Sequence, residues 1–179
     1  MTATETATLG GGCYWCLEAF YQRINGVDSV VSGYSGGHVD NPTSKQVYTG
    51  TTGHAEVVQL TFDPGVITYK EILEIYFVMH DPTTLNRQGN DVGEHYRSVI
   101  FFHDKTQKDV AEDLKSGFAA QLWQDPIVTQ IVEFTKFWPA DETMQEFYNK
   151  NPGAGYCQAI IDPKIQKLRQ AFAAKLKSS

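Results

Sequence analysis

The chain has 179 residues, 41% of them hydrophobic and 20% charged, with a formal net charge of −6. One globular domain with a real core is expected at this length and composition. The acidic balance argues against a nucleic-acid partner, and without a run of 18 apolar residues no membrane-spanning helix is expected. In chain order, "TETATLGG" alternates as a short strand. Cys16 to Ile24 has helical spacing, with Leu17, Phe20, Tyr21 and Ile24 on one face. "VDSVVSGYSGG" is β-branched and ends in glycines, a strand. Residues 36–53 are polar and glycine-rich, a long loop. "HAEVVQLTFDPG" is a strand closed by an Asp-Pro-Gly turn. "TYKEILEIYFVMHD" is a helix opened by Thr68. A second long loop runs from Asp81 to His95. "YRSVIFFHD" is a strand, "KTQKDVAEDLKSGFAAQL" a helix, and "PIVTQIVEFTKFWPA" a strand ending near Trp138. Asp141 caps a short helix to Tyr148, and Asp162 with Pro163 opens a last helix with a basic finish. The order β-α-β, then β-α-β-α-β, then helices predicts an α+β two-layer sandwich. Its mixed sheet would surround a split β-α-β (ferredoxin-like) core with long coil excursions, all in one domain over 1–179.

The N-terminal "MTATETATLGGG" lacks the charged start and apolar stretch of a signal peptide, so a cytoplasmic location is expected. The three cysteines, Cys13, Cys16 and Cys157, are too few and too odd in number for a disulfide scaffold. Thiol chemistry, metal binding or plain packing stay open. Both long loops exceed the roughly 12–15 residues usual in a compact domain and carry Gly, Tyr, His and Asp, which suits a functional site.

The glycines of "LGGGCYWC" let backbone N–H groups turn toward Cys13, and a helix N-terminus favours a thiolate there. A buried packing cysteine would show the same junction. Tyr14 and Trp15 point about 100° apart on a helix, so at least one is expected to face a cavity or solvent. An aromatic wall beside a nucleophile suits an apolar or sulfur-bearing group.

"GGCYWC" resembles the "GCFW" signature of peptide methionine sulfoxide reductase A. "GYSGG" at 33–37, "NPT" at 41–43, "TGHAEVV" at 52–58, "DVGEHYRS" at 91–98 and "GYC" at 155–157 follow in the family's order. The resemblance implies reduction of the S epimer of methionine sulfoxide, protein-bound or free, with no cofactor beyond an external thiol reductant, thioredoxin. Cys13 would attack, and Glu56 in "GHAE" would be the acid, with its pKa raised by an apolar setting. Tyr96 would bond the sulfoxide oxygen, with Asp91 nearby. Trp15, and Tyr14 in place of the usual Phe, would hold the substrate methyl group. The resulting sulfenic acid would condense with Cys157 on a mobile C-terminal segment, or with Cys16 one helical turn away. The family's Tyr after "NPT" is Ser44 here, implying a weaker hold on the oxygen unless Tyr48 replaces it. Expected partners are thioredoxin and oxidised proteins or free methionine sulfoxide, with no nucleic acid and no membrane, the chain acting as a monomer.

Two other functions fit parts of the pattern. A thioredoxin-like disulfide oxidoreductase also uses C-x-x-C after a strand, but it would want a proline before a later strand, whereas Pro64 lies in a turn after one. A zinc module could use Cys13, Cys16, Cys157 and one of His38, His54 or His95, but the third cysteine lacks a close partner.

Overall fold

The computed structural model describes residues 3–178. The first two residues of the stretch judged to lack a signal peptide, and the last residue of the domain, lie outside that range. The chain forms β1 Glu5–Gly10, α1 Tyr14–Tyr21, β2 Val27–Ser35, α2 Ser44–Tyr48, β3 Ala55–Phe62 and α3 Tyr69–Met79. There follow β4 Arg87–Gln88, β5 Asp91–Val92, β6 Val99–Phe102 and α4 Lys105–Leu114. A π turn Lys115–Ala119 joins α4 to α5 Ala120–Leu122. The remainder is β7 Gln130–Glu133, β8 Phe137–Pro139, α6 Phe147–Lys150, a π turn Cys157–Ile161 and α7 Asp162–Ala171.

Six strands make one sheet in the order β7-β6-β1-β3-β2-β8. β1 and β2 both run antiparallel to β3, which lies between them, so β1-α1-β2 is a split β-α-β unit. β3 and β6 likewise flank β1, so β3-α3-β6 is a second one. This is the ferredoxin-like core expected from the element order. Its directions bring the C-terminal ends of β1 and β2 and the N-terminal ends of β3 and β6 to one end of the sheet. The glycine run, "GYSGG", "TGHAE" and "EHYRS" all meet there.

Residues 126–140 depart from the single strand expected of them. They form β7, parallel to β6 at one edge, and β8, antiparallel to β2 at the other. Only residues 134–136 separate the two. Four Cα steps span at most roughly 14 Å, whereas the edges of a flat six-stranded sheet lie about 24 Å apart. The sheet therefore curls, and its concave face closes over Ala55, Val57, Val99 and Phe101, with Phe134 and Phe137 packed on them. The main core lies on the other face, beneath the helices.

Both long loops hold structure that composition hides. Thr43 and Gln46 form a reciprocal capping box that starts α2 inside the first loop. The second folds as the β4–β5 hairpin and a 3-10 turn Glu94–Tyr96. Asp141 does cap a helical turn, Glu142–Met144, but left-handed Glu146 interrupts it before α6. Asp162 caps nothing. The helix already runs from residue 155 through the π turn, and the Asp162 carboxylate accepts the Tyr148 hydroxyl. The π turn lies directly before Pro163, where the helix lacks an N–H.

Close backbone contact binds the first loop to β3. Gly37 N–H donates to His54 Nδ1 at 3.0 Å, and His54 Nε2–H donates to the Val39 carbonyl at 2.7 Å. A Cβ on Gly37 would lie 2.4 Å from the Thr52 carbonyl oxygen and 2.5 Å from the His54 nitrogen. Gly37→Ala is therefore expected to cost about 1–3 kcal/mol by overpacking. Gly117, with open space around it in the α4–α5 helix, should give the opposite sign, Gly117→Ala stabilising by about 0.4–1 kcal/mol. Thermal melts of both variants check the pair.

Candidate active site

β1 delivers Cys13 to the N-terminus of α1, and three anchors fix the approach. The Tyr76 hydroxyl donates to the Gly10 carbonyl at 2.6 Å. Gly12 N–H donates to the Tyr96 carbonyl at 3.2 Å. Gly12 has φ +91, and a Cβ there would lie 2.6 Å from Gln88 Cγ. The Gln88 side-chain amide meanwhile grips the backbone N–H and carbonyl of Asp81 at 2.8 and 3.0 Å. The second loop thus docks on the glycine run through one glutamine. Behind it, neutral His80 donates through Nδ1 to the Tyr76 carbonyl and accepts from the Ser98 hydroxyl at 2.8 Å. Burial lowers its pKa to about 4.

Cys13 is the N-cap residue, 8% exposed. The sequence led us to expect a thiolate. The structure reverses that for the unliganded protein. Burial, then Glu56, then Cys16 push the Cys13 thiol well above its usual range, while the Trp15 N–H and the Tyr156 hydroxyl pull it down. The balance follows from magnitudes: a helix terminus is worth about 0.3–1 kcal/mol, whereas full burial moves a pKa by up to roughly 3–5 units at 1.36 kcal/mol each.

Glu56 lies in phase along β3 with the core residues Val58, Leu60 and Phe62, so strand periodicity turns it inward beneath α1. It is fully buried, and Oε1 accepts the Tyr14 N–H at 3.1 Å. Burial raises its pKa to about 8, against the lowering effect of the Tyr14 N–H, with Asp91 adding a smaller rise. At neutral pH the carboxyl holds its proton. Its Oε2 has no protein partner, and neither do the buried Trp15 Nε1 and His95 Nδ1. Unpartnered buried polar atoms are rare and costly, and three of the four among the described residues belong to this neighbourhood.

Tyrosines ring the pair. Tyr34 faces Glu56 across the β2–β3 ladder, and its hydroxyl meets that of fully buried Tyr14 at 2.8 Å. That is the partner the extra hydroxyl of Tyr14 requires. Burial pushes Tyr34 up to about 12, with Ser44 as a further hydrogen-bonding neighbour. Tyr48 lies one helical turn after Ser44, on the same face of α2. Tyr48 is 45% exposed at the rim of the site, and partial burial, then Glu56 and Cys13, raise its pKa. Tyr96 is raised by burial, Glu56, Cys13 and Asp91. The His95 ring packs on Tyr96 at 3.9 Å and on Tyr48 at 5.5 Å between centroids.

The C-terminal segment covers the site, which the sequence did not reveal. Trp15 stacks flat on Phe147, with centroids 3.6 Å and planes 6° apart, and Tyr156 meets it edge-on. The Phe147 N–H is held by the carboxylate of buried Glu18 at 3.3 Å. The Tyr156 hydroxyl donates to Asp91 Oδ2 at 2.8 Å and lies 3.6 Å from Cys16 Sγ. Lys164 also approaches Cys16, opposing the rise that burial gives its pKa. Cys157 was expected in a pliant glycine-bearing stretch, yet it is fully buried within the π turn. The neighbouring thiol that raises its pKa is Cys16, and Cys16 is also the thiol neighbour of Cys13. Cys16 is thus the thiol neighbour common to the other two. The structure brings Cys13, Glu56, Tyr96, Asp91, Tyr14, Trp15 and Cys16 together, with Tyr48 at the rim, Ser44 beside Tyr34 and Cys157 buried in the π turn. The sequence analysis missed Tyr156, Phe147, Tyr34 and Lys164. The "GYC" match alone pointed to Tyr156, as the aromatic residue before a candidate cysteine.

His54 spends both ring nitrogens on backbone, and among the described residues no group of three or more His, Cys, Asp or Glu could hold a metal ion. No helix among them is long and apolar enough to cross a membrane.

Comparison with known proteins gives the context of this arrangement. Residues 5–176 match the family model described as peptide methionine sulfoxide reductase. A relative from Sulfolobus acidocaldarius, named peptide methionine sulfoxide reductase MsrA, is 53% identical over 171 residues, covering 96% of this chain and 97% of its own. The reduced form of Mxr1 from Saccharomyces cerevisiae superposes with a TM-score of 0.79 at 33% identity, covering 86% of this chain and 89% of its own. Mxr1 in complex with Trx2 superposes at 0.56 and 26% identity, covering 80% and 84%. With a buried, proton-bearing Glu56 beside Cys13 and a match spanning nearly the whole chain, this protein belongs to the peptide methionine sulfoxide reductase family.

Proposed function

We propose that the chain reduces methionine sulfoxide, the S epimer, in proteins or as the free amino acid, using Cys13 as nucleophile and Glu56 as acid. The observation that carries this is the burial of Glu56, which keeps its carboxyl protonated near pH 7 next to a thiol. Sulfoxide sulfur is a poor electrophile until its oxygen gains a proton or strong hydrogen bonds. Glu56 supplies that proton, while Tyr48 and Tyr96 bond the oxygen. The carboxylate left behind accepts the Cys13 proton. The sulfoxide S–O bond breaks and an S–O bond forms on Cys13, so sulfoxide and thiol give thioether and sulfenic acid. Trp15 bounds the methyl group once Phe147 moves off its face.

Cys16 resolves the sulfenic acid first. Its N–H donates to the Cys13 carbonyl at 3.1 Å, and one helical turn sets the two Cα atoms roughly 5 Å apart, inside disulfide range. Cys157 then exchanges onto Cys16, freeing Cys13. The C-terminal segment over α1 opens to expose the Cys16–Cys157 bond to a thioredoxin, whose two thiols take the oxidising equivalents. The cycle needs no bound cofactor and belongs in a reducing compartment, the cytoplasm. The complex of the related Mxr1 with Trx2 supports this partner.

Tyr48 supplies the phenolic hydroxyl that the shorter Ser44 cannot extend to the oxygen, because the i, i+4 spacing in α2 puts both on the same face. Tyr48→Phe should lower kcat about tenfold or more, and Ser44→Ala far less. Equal losses in steady-state assays would contradict this assignment.

The pH dependence follows from Glu56. Turnover should fall as pH rises through about 8, and Glu56→Gln should remove that limb together with most activity. Stability obeys the same sign. A carboxyl with a raised folded-state pKa contributes stability that is full below its unfolded pKa and is lost as pH rises through the folded one. The melting temperature of native protein minus that of Glu56→Gln should therefore fall from pH 5 to pH 8. A flat difference would mean that Glu56 is ionised throughout.

Disulfide order is read by peptide mapping after one equivalent of sulfoxide without reductant. Native protein should carry Cys16–Cys157, and Cys157→Ser should carry Cys13–Cys16. Cys16→Ser should leave a dimedone-reactive Cys13. A Cys13–Cys157 bond forming in Cys16→Ser at the native rate would contradict the order.

A further inference from the structure

The Tyr156 hydroxyl meets Cys16 directly and adjoins Cys13. It lies 3.6 Å from Cys16 Sγ, is a hydrogen-bonding neighbour of Cys13, and sits 2.8 Å from Asp91 Oδ2. The single hydroxyl proton points at the carboxylate, which only accepts, so the tyrosine oxygen is the acceptor toward the Cys16 thiol. Its ring, edge-on to Trp15 with centroids 5.6 Å apart, fixes this position. Sulfoxide reduction as proposed does not use the group, since Glu56 supplies that proton.

We propose that Tyr156 is a catalytic residue of the second half-reaction, carrying the proton from the Cys16 thiol to the oxygen that leaves Cys13. The inference rests on the proposed sulfoxide chemistry, which supplies the sulfenic acid. The step balances without any other reagent. Cys13–S–OH and Cys16–SH become Cys13–S–S–Cys16 and water. The S–O bond breaks and the S–S bond forms, reducing the Cys13 sulfur and oxidising that of Cys16. The Tyr156 hydroxyl turns from Asp91 to the departing oxygen and gives up its proton there, while the thiol proton passes to the tyrosine oxygen. Direct expulsion of hydroxide into a dry pocket would be costly, because an unpaired charge there lacks solvation. Burial and the adjacent thiols hold Tyr156 protonated, which keeps it a donor. The Lys164 ammonium beside Cys16 favours the developing thiolate.

The test is a quenched single turnover of the full chain with a methionine sulfoxide peptide and no reductant. Methionine release and disulfide formation are timed separately, and sulfenic acid is captured by dimedone. In native protein the disulfide should follow methionine with little captured sulfenic acid. Tyr156→Phe keeps the ring on Trp15 and loses only the hydroxyl. The ratio of the disulfide rate to the methionine rate should fall at least tenfold, with Cys13 sulfenic acid captured in proportion. General acid–base groups typically contribute about 10²–10⁴-fold. An unchanged ratio would overturn the proposal. Loss of methionine release from the folded variant would overturn it as well, by moving Tyr156 into the sulfoxide step. If native protein releases no methionine, the underlying reading fails instead.

Discussion

The hydrogen bond from the Tyr14 N–H to Glu56 Oε1, 3.1 Å long and fully buried, is the constraint on which the site depends. It ties the first turn of α1 to the start of β3 and so fixes the nucleophile relative to the acid. One N–H is not enough to hold an ionised carboxylate in an apolar interior, because desolvation outweighs a single charge-assisted hydrogen bond. Glu56 therefore keeps its proton, and its second oxygen is left without a protein partner. The same burial keeps the Cys13 thiol neutral. Both groups wait in their uncharged forms for a polar molecule that can accept one proton and prompt release of the other.

Topology explains why these groups meet. Two interleaved split β-α-β units bring two strand ends and two strand starts to one rim, and each contributes a motif. The curl of the sheet, imposed by the three-residue link between β7 and β8, closes the far face and leaves this rim as the place where loops gather. The loops are held by specific polar contacts rather than bulk apolar packing. Gln88 clamps the Asp81 backbone, His54 bridges Gly37 to Val39, and Tyr76 with His80 and Ser98 backs the glycine run. Irregular backbone at the rim is thus held in place, as a site with several converging side chains requires.

Much of this was legible in the sequence, and the failures have physical causes. Period-two alternation and the Thr68 cap marked the core elements correctly. The burial of Glu56 could have been read from its phase with Val58, Leu60 and Phe62. Residues 126–140 read as one strand because both halves are β-prone, and nothing local shows that they join opposite edges. Asp162 and Pro163 look like a helix start, yet the helix had already begun, and the π turn absorbs the proline. The first loop hid α2, which is short and polar and held by its capping box. The thiolate expected at Cys13 failed because a helix N-terminus was weighed without knowing the depth of burial. Phe147 and Tyr156 lie over 130 positions from Trp15, and only tertiary folding makes them its lid.

The covered state gives the thiols a common logic. Cys16 is the thiol neighbour of both Cys13 and Cys157, which suits the stepwise exchange proposed for them. All of this requires Glu56 to hold its proton at neutral pH. The direct measurement is a carbon-13 NMR titration of the glutamate side-chain carboxyls, with the Glu56 signal identified by its loss in Glu56→Gln. The account predicts a midpoint near pH 8. A midpoint near the ordinary value of 4.5 would contradict it.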